Sequence, residues 1–552
     1  MPKKRRREDS ALPSPAIPAV FAPDALQSSG PAASFKAALP YTHVKLPSLF
    51  DESTLLSVRK ELQQLSSTFK ETDLFKVYQT GDLGNLDASN PEHAALLPST
   101  LALRSALYSP AFRSFVREVT GCAPITDKQD CSCNQYKQGG HLLCHDDVIG
   151  TRCVSYILYL ARPGKAWRPQ LGGALELYEL REGSGEVLPS PVSAIAPEFG
   201  SMVLFTVQPG VSFHAVQEVA SKAPRLSISG WFHAASPPEG ADSNASLAQL
   251  QSASAGCAPP RALARAPKPR KSLTSVHEQK LGLVVNPAYL HASTIAAVRE
   301  QLQGQGAALL SSFLHPTLAE QIRKRAAAAD AKDGLSGQAL PPHAAGVRRK
   351  GWRLVGPPQL RRYVRYKPPK EKAGGDDNGG GEGESGGEGR QAAPAASIGA
   401  LLNEVRRVMH TAPFVQLMAA LSGQTPTHCA SEVRRFRPGL DYTLAHTGTV
   451  RTAPTLDATL CFVAGSAAEL ELWDSGDVGG FECHVQSSSE DEHGAAEVYQ
   501  ADEGSAGVTS IHAACNALSL VAREPNTMKF IKYVSYLAPS SRWDVTAEYT
   551  SS

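Results

Sequence analysis

At 552 residues the chain is too long for one hydrophobic core and suits two or three domains. A net charge of +2 excludes a body that binds nucleic acid by bulk electrostatics, and ten scattered cysteines suit a reducing compartment better than a disulfide scaffold. No window approaches about eighteen apolar residues, so the sequence offers no membrane span.

In chain order, the basic residues come first. Lys3, Lys4, Arg5, Arg6 and Arg7 form an uninterrupted cluster, followed by a Pro/Ala/Ser-rich segment that cannot bury enough apolar surface to order itself. Residues 1–35 are therefore expected to be a disordered basic tail. The cluster reads as a nuclear localisation signal, with a merely solubilising tail as the alternative, and the expected location is nucleus and cytoplasm. No uninterrupted apolar run follows the charges, as a secretory signal requires. In FDESTLLSVRKELQQLSSTF (50–69), Leu55, Val58 and Leu62 recur at three and four residues and predict a helix packed against the domain that follows.

Residues 36–235 carry the chemistry. HLLCHDD (141–147) places His145 and Asp147 two apart, so on an extended strand they point to the same side, and His214 can add a third ligand from a neighbouring strand. Two histidines and one carboxylate on one face are the ligand set of non-haem Fe(II) oxygenases, and they leave positions open for a bidentate co-substrate and dioxygen. Arg225 lies eleven residues beyond His214. Its planar guanidinium can hold the far carboxylate of 2-oxoglutarate through two parallel hydrogen bonds. A lone H-x-D is a weak signal among 16 histidines and 53 acidic residues. The flanking runs add weight: SYILYLA (155–161), SMVLFTV (201–207) and RLSISGWFH (225–233) are short, β-prone and separated by Gly and Pro, as in a sandwich or barrel. Within RLSISGWFH, Arg225, Ser227 and Ser229 share one face, and Leu226, Ile228 and Phe232 the other. Cys131, Cys133, Cys144 and His145 offer zinc-ligand types as an alternative, but C-x-C with a lone Cys fits none of the usual zinc spacings. Reduced thiols packed as small apolar groups are the plainer reading.

NQYKQGGHLLCHDD (134–147), YILYL (156–160), SFHAVQEV (212–219) and RLSISGWFH (225–233) closely resemble the eukaryotic 2-oxoglutarate and iron-dependent prolyl hydroxylases that modify a small-subunit ribosomal protein at the decoding centre. The resemblance extends over most of the chain. It implies a mainly β fold with flanking helices, built as two double-stranded β-helix (jelly-roll) domains of which the second is degenerate. By position it makes His145, Asp147 and His214 the iron ligands, with no catalytic residue beyond the metal site. It makes Arg225 the partner of the distal 2-oxoglutarate carboxylate, with Tyr136 and Tyr159 as hydroxyl donors near the co-substrate or substrate. On strands such tyrosines also serve as half-buried packing residues. Trp231 is a candidate to line the site or the core. The cofactors implied are Fe(II), 2-oxoglutarate and dioxygen, with ascorbate as a further expected one. The partner implied is a small-subunit ribosomal protein, with no direct nucleic acid and no membrane, and the reaction affects translation.

A Ser/Ala/Pro-rich break at 236–275, ending in Lys268, Arg270 and Lys271, reads as a linker to a second, non-catalytic domain at 276–552. A Gly/Glu-rich stretch at 367–396 has no hydrophobic period and is expected to be a disordered insertion in that domain. Laying FRPGLDYTLAHTGT (436–449) over residues 136–149 brings His446 one place beyond His145, with Thr447 opposite Asp147, or Gly448 if the histidines are matched. Laying NALSLV (516–521) over HAVQEV (214–219) puts Asn516 opposite the second histidine. The carboxylate and one imidazole are gone in either register, so this domain should bind iron poorly. Lys529 falls near the place of Arg225 and is expected at the surface. Substrate capture and protection of a sheet edge are the two roles open to the domain. Two other functions stay open for the whole chain: oxidative demethylation of nucleic acid with the same iron chemistry, disfavoured by the modest charge, and a non-turnover oxygen-sensing scaffold.

Overall fold

A computed structural model of the chain describes residues 20–241, 260–264, 272–335, 339–368, 396–451, 453–486 and 508–551. The described residues divide into two compact units, those within Met1–Lys70, Lys76–Glu179 and Val192–Asp242 making the first and those within Glu71–Phe75, Leu180–Pro191 and Ser243–Ser552 the second.

Strands β1 (His43–Leu46), β2 (Thr68–Glu71), β3 (Phe75–Gln79), β4 (Cys131–Tyr136), β5 (His141–His145), β6 (Arg152–Tyr159), β7 (Leu175–Leu177), β8 (Ser193–Ile195), β9 (Met202–Thr206), β10 (His214–Val216) and β11 (Arg225–His233) form one sheet in the order β1-β9-β6-β11-β4-β3-β5-β10-β7-β8, with β2 beside β3. Helices α1 (Ser29–Ala37), α2 (Glu52–Leu62), α3 (Pro91–Leu96), α4 (Pro98–Leu107) and α5 (Pro110–Thr120) accompany it. The alternation in β6 and β11 explains the layering. Val154, Tyr156, Leu158, Leu226, Ile228 and Phe232 join one apolar core with Leu55 and Val58 of α2 and Phe112, Val116 and Val119 of α5. The opposite face of β6 and β9 sends Ile157, Tyr159, Val203 and Phe205 inward, with Leu175 and Leu177 of β7. Helix α2 carries the expected Leu55, Val58 and Leu62 and is capped by Asp51, which accepts from the Thr54 amide at 2.8 Å.

Two expectations are corrected here. Folded structure begins well before residue 36: Val20 and Phe21 are buried, Phe21 stacks on Phe50 and Phe112 with centroids 5.3 and 5.2 Å apart, and α1 buries Phe35. A few aromatic anchors order a segment whose average composition points the other way. The basic cluster Lys3–Arg7 lies outside the described residues. The stretch 236–275 is not linker throughout either, because Arg261 and Ala262 pair with Cys429 and His428, and Leu273 is buried in the second core. Lys268, Arg270 and Lys271 fall outside the described residues, as does most of the Gly/Glu insertion, 369–395.

The second unit repeats the plan. Its strands are β12 (Arg261–Ala262), β13 (Ala307–Leu310), β14 (Trp352–Val355), β15 (Arg361–Tyr366), β16 (His428–Phe436), β17 (Tyr442–Thr443), β18 (Thr455–Phe462), β19 (Glu482–Gln486), β20 (Val508–Ile511), β21 (Ala517–Arg523), β22 (Thr527–Ile531) and β23 (Arg542–Thr550). The larger sheet runs β13-β21-β18-β23-β16-β15-β14, with β12 on β16 and β17 on β15, and the smaller runs β20-β19-β22. Position for position, β13-β21-β18-β23-β16-β15 matches β1-β9-β6-β11-β4-β3 of the first unit. Helices α6 (Ser275–Leu281), α7 (Ala292–Gln305), α8 (Pro316–Asp333), α9 (Ile398–Met409), α10 (Ala412–Ser422) and α11 (Ala467–Asp474) complete the unit. Leu456, Ala458, Leu460, Val545 and Ala547 pack with α9 and α10 residues such as Leu402, Val405 and Leu417. Both units are jelly rolls of mainly antiparallel strands with flanking helices.

This topology overturns the register assigned to NALSLV. Strand β21 pairs with β18 and β13, as β9 pairs with β6 and β1, so it is the counterpart of β9, and the counterpart of β10 is β22, which pairs with β19 as β10 pairs with β7. Asn516 lies in the turn before β21 at φ 53°, its side chain bonded to the Leu314 backbone. Lys529 is buried, with its ammonium 3.4 Å from Asp457 and 3.2 Å from Glu482. The residue in Arg225's register is Arg542: Arg225 pairs with Tyr136 at the end of β4, and Arg542 with Phe436 at the end of β16. Neighbouring β runs of similar apolar alternation look alike along the chain, and only pairing across it tells them apart.

Candidate metal centre

β5 ends at His145 and β10 begins at His214, and antiparallel pairing sets the two residues directly opposite each other. Their rings lie with centroids 4.2 Å apart. Asp147 closes the group, with Oδ1 3.2 Å from His145 Nε2 and Oδ2 3.4 Å from His214 Nε2. It does so by a different route from the extended strand expected of the spacing. The strand stops at His145, and Asp147 sits at φ 61°, a left-handed conformation that turns its carboxylate back over the histidines.

Each imidazole is fixed by its far side. Nδ1–H of His145 donates to the Leu143 carbonyl at 2.8 Å and that of His214 to the Ser212 carbonyl at 2.9 Å, which leaves both Nε2 atoms as lone-pair donors aimed at one point. Asp147 Oδ2 accepts from Ser155 Oγ at 2.7 Å and from Trp231 Nε1 at 3.0 Å. Burial pushes Asp147 toward protonation, but the facing histidines outweigh it and hold the carboxyl well below its usual range. Burial opposes a charge on His145 too, and its contact with Asp147 raises its pKa in spite of that. One ligand atom from each of the three residues lies within 4.8 Å of the others, the one such group of His, Cys, Asp and Glu among the described residues. Donor types, tautomers and convergence fit a divalent iron, which His145, Asp147 and His214 would hold. Cys131, Cys133 and Cys144 are buried cysteines outside any disulfide, the first two packed in the apolar core, and among the described residues they form no metal-ligand cluster for the zinc alternative.

Arg225 opens β11 and is 1% exposed. Its Nε donates to the Gly173 carbonyl at 2.7 Å and its Nη1 to Ser227 Oγ at 3.2 Å, while Nη2 has no hydrogen-bond partner among the described residues. The guanidinium lies 5.1 Å from the ring centre of Tyr136 and 5.0 Å from that of Tyr159. Tyr159 Oη, beside Arg225, is buried and likewise makes no well-formed hydrogen bond among the described residues. Burial raises both phenols, Tyr136 to about 12, with the Arg225 charge opposing it. A buried cation with one open donor beside an orphaned hydroxyl leaves a place for a carboxylate, since buried polar groups otherwise carry partners. Sequence reasoning missed Ser155 and Gly173. A Cβ on Gly173 would stand 3.0 Å from Arg225 Cδ, at a φ of +71°, and the Gly172-Gly173 pair ahead of β7 was the available signal.

The 2OG-Fe(II) oxygenase superfamily model matches residues 131–233, and the model described as oxoglutarate and iron-dependent oxygenase degradation C-term matches 277–552. Prolyl 3,4-dihydroxylase OGFOD1 of Ostreococcus tauri is 38% identical over 523 residues, covering 93% of this chain and 95% of its own. Prolyl 3-hydroxylase OGFOD1 of Mus musculus is 25% identical over 544 residues, covering 90% and 85%. Among solved structures, a Pseudomonas putida prolyl-4-hydroxylase covers 37% of this chain and 98% of its own at 20% identity and a TM-score of 0.25. With both domain types in sequence and similarity along nearly its whole length, the chain belongs to the OGFOD1 family of 2-oxoglutarate- and Fe(II)-dependent prolyl hydroxylases.

Proposed function

We propose that the first barrel hydroxylates a prolyl ring carbon of a small-subunit ribosomal protein and so acts on translation. The observation that carries the reading is the convergence of His145, Asp147 and His214 beside a buried Arg225 with an open donor. His145, Asp147 and His214 hold the iron, and Arg225 with the Tyr159 hydroxyl holds the distal carboxylate of 2-oxoglutarate. Bound iron supplies the oxidising chemistry, in which dioxygen and 2-oxoglutarate are consumed, succinate and carbon dioxide leave, and one oxygen is inserted into a C–H bond. The chain supplies position. The Leu143 and Ser212 carbonyls keep both Nε2 atoms free, and Ser155 and Trp231 fix the carboxylate. Relatives named prolyl hydroxylases favour a prolyl substrate over methylated nucleic acid, and a complete ligand set favours turnover over a passive scaffold. We further propose that ascorbate supports the reaction and that Lys3–Arg7 directs the protein to the nucleus as well as the cytoplasm. Replacing those five residues by alanine in a fluorescent fusion should abolish nuclear accumulation.

The test is anaerobic reconstitution with Fe(II) and 2-oxoglutarate, followed by air, a ribosomal-protein peptide and mass spectrometry. A gain of oxygen mass on proline is expected, and the same spectrum counts the hydroxyls. Demethylation of a methylated oligonucleotide, with the peptide untouched, would replace this reading by its rival.

A further inference from the structure

The second barrel keeps a cavity but fills its depth with its own charges. Lys529 reaches Asp457 and Glu482, and Asp544 accepts two bonds from Arg434 at 2.7 and 2.9 Å. Arg542, in the register that Arg225 holds in the first barrel, is bonded to Asp544 at 3.2 Å and lies 3.6 Å from Glu482. Among the described residues, Arg542 has no buried unpartnered nitrogen of the kind Arg225 has. Above this layer is a cavity of about 90 Å³, partly open to solvent, several times the volume of about 10–15 Å³ that admits one water. Its wall carries Arg361, Arg434, Arg451, Arg523 and Lys529 with the carboxylates Glu432 and Glu548, and Arg434, Arg523 and Lys529 are also paired from below by Asp544, Asp457 and Glu482, while Arg361 Nε donates to the Gly356 carbonyl at 3.1 Å. Both carboxylates are committed. Glu548 faces Arg451 at 2.9 Å and Arg523 at 3.4 Å, and Glu432 accepts from Arg365 and the Tyr363 hydroxyl, each at 2.8 Å.

His446 points to a ligand independently. It lines the cavity, is 7% exposed, and its Nδ1 has no hydrogen-bond partner among the described residues, although buried polar atoms normally have one. Burial and the Arg361 charge push its pKa down to about 4, so at neutral pH it offers hydrogen bonding without adding a cation. We propose that this cavity binds a small anion bearing a carboxylate or phosphate group, held by the Arg361 and Arg451 guanidiniums and hydrogen-bonded by His446. A metal ion does not suit it, because among the described residues the sole three-ligand cluster is in the first barrel.

Calorimetric titration of the metal-free, full-length Arg225→Ala protein with succinate and with inorganic phosphate tests this, since that substitution removes the first barrel's carboxylate grip. At least one probe should bind, and His446→Ala or Arg451→Gln added to that background should weaken binding tenfold or more with the thermal midpoint kept. Arg451 is 28% exposed, so its variant stays readable if His446→Ala unfolds. Silence from both probes, or binding unchanged by the second-barrel substitutions, overturns the proposal. Succinate and phosphate arms tell a carboxylate ligand from a phosphorylated one.

Discussion

Asp147 Oδ2 takes a hydroxyl from β6 and an indole N–H from β11, so the carboxylate is oriented by two elements before any metal arrives. Groups that orient a ligand are worth about 10- to 100-fold in metal affinity. Trp231→Phe, which keeps the ring and removes the N–H, should therefore weaken Fe(II) binding by about that factor with an unchanged far-UV spectrum, measured by anaerobic competition with a chromophoric chelator. Wild-type affinity in that variant would remove Trp231 from the site and leave it a packing residue. Arg225 invites a second measurement. A charge-assisted hydrogen bond contributes about 1.5–3 kcal/mol, so Arg225→Ala should raise the 2-oxoglutarate requirement about 10- to 100-fold in a decarboxylation assay. An unchanged requirement would remove its assignment to the co-substrate. The ligand candidates were legible at this scale because residue type and short spacing carry metal chemistry. Ser155 was not, since a serine in a β run has no feature that marks a partner eight residues away on the far side of a turn.

At the scale of elements, the Gly172-Gly173 turn ahead of β7 seats the Arg225 side chain. The Gly173 carbonyl receives Arg225 Nε, and the missing side chain leaves room for Arg225 Cδ. A Cβ there costs about 1–2 kcal/mol for the left-handed backbone alone. Gly173→Ala should lower unfolding free energy by about that amount in urea and also raise the 2-oxoglutarate requirement. A loss of stability with no change in that requirement would restrict the glycine to its turn. Helix α2 shows what periodicity can and cannot convey. Leu55, Val58 and Leu62 mark its buried face, yet the helix ends at Leu62 and Thr68–Glu71 joins the sheet, because strand pairing with β3 competes for residues whose local pattern is ambiguous. The strand counterpart of β10 was missed for the same reason.

Across the whole molecule, one jelly-roll plan carries two interiors. The first holds an open set of ligands, and the second a closed network of ion pairs. Glu482 is buried against Lys529, His484 and Arg542, which overcome the effect of burial and hold it well below its usual range, and Glu548, facing Arg523 and Arg451, is lowered to about 2. Both are depressed relative to the unfolded chain. The stability they contribute is therefore present above the ordinary carboxylate range and is lost as pH falls from about 4.5 toward about 2. Thermal unfolding followed from pH 7 to pH 3 should show this loss in the second unit, and Glu548→Gln should flatten it; an equally steep loss in the variant would place the acid sensitivity elsewhere. Glu482→Ala, which leaves buried cations unpaired, should cost about 3–5 kcal/mol by urea unfolding. The sequence by itself determined the class of chemistry, the residues that carry it and the presence of two β domains, because ligand type, short spacing and strand alternation are local properties of the chain. The tertiary structure alone decided that Asp147 turns back through a left-handed residue, that Gly173 seats Arg225, and that Arg542 rather than Lys529 holds the register of Arg225. Those depend on which distant strands pair, and pairing is chosen by the burial of whole faces, a quantity no short stretch of residues contains.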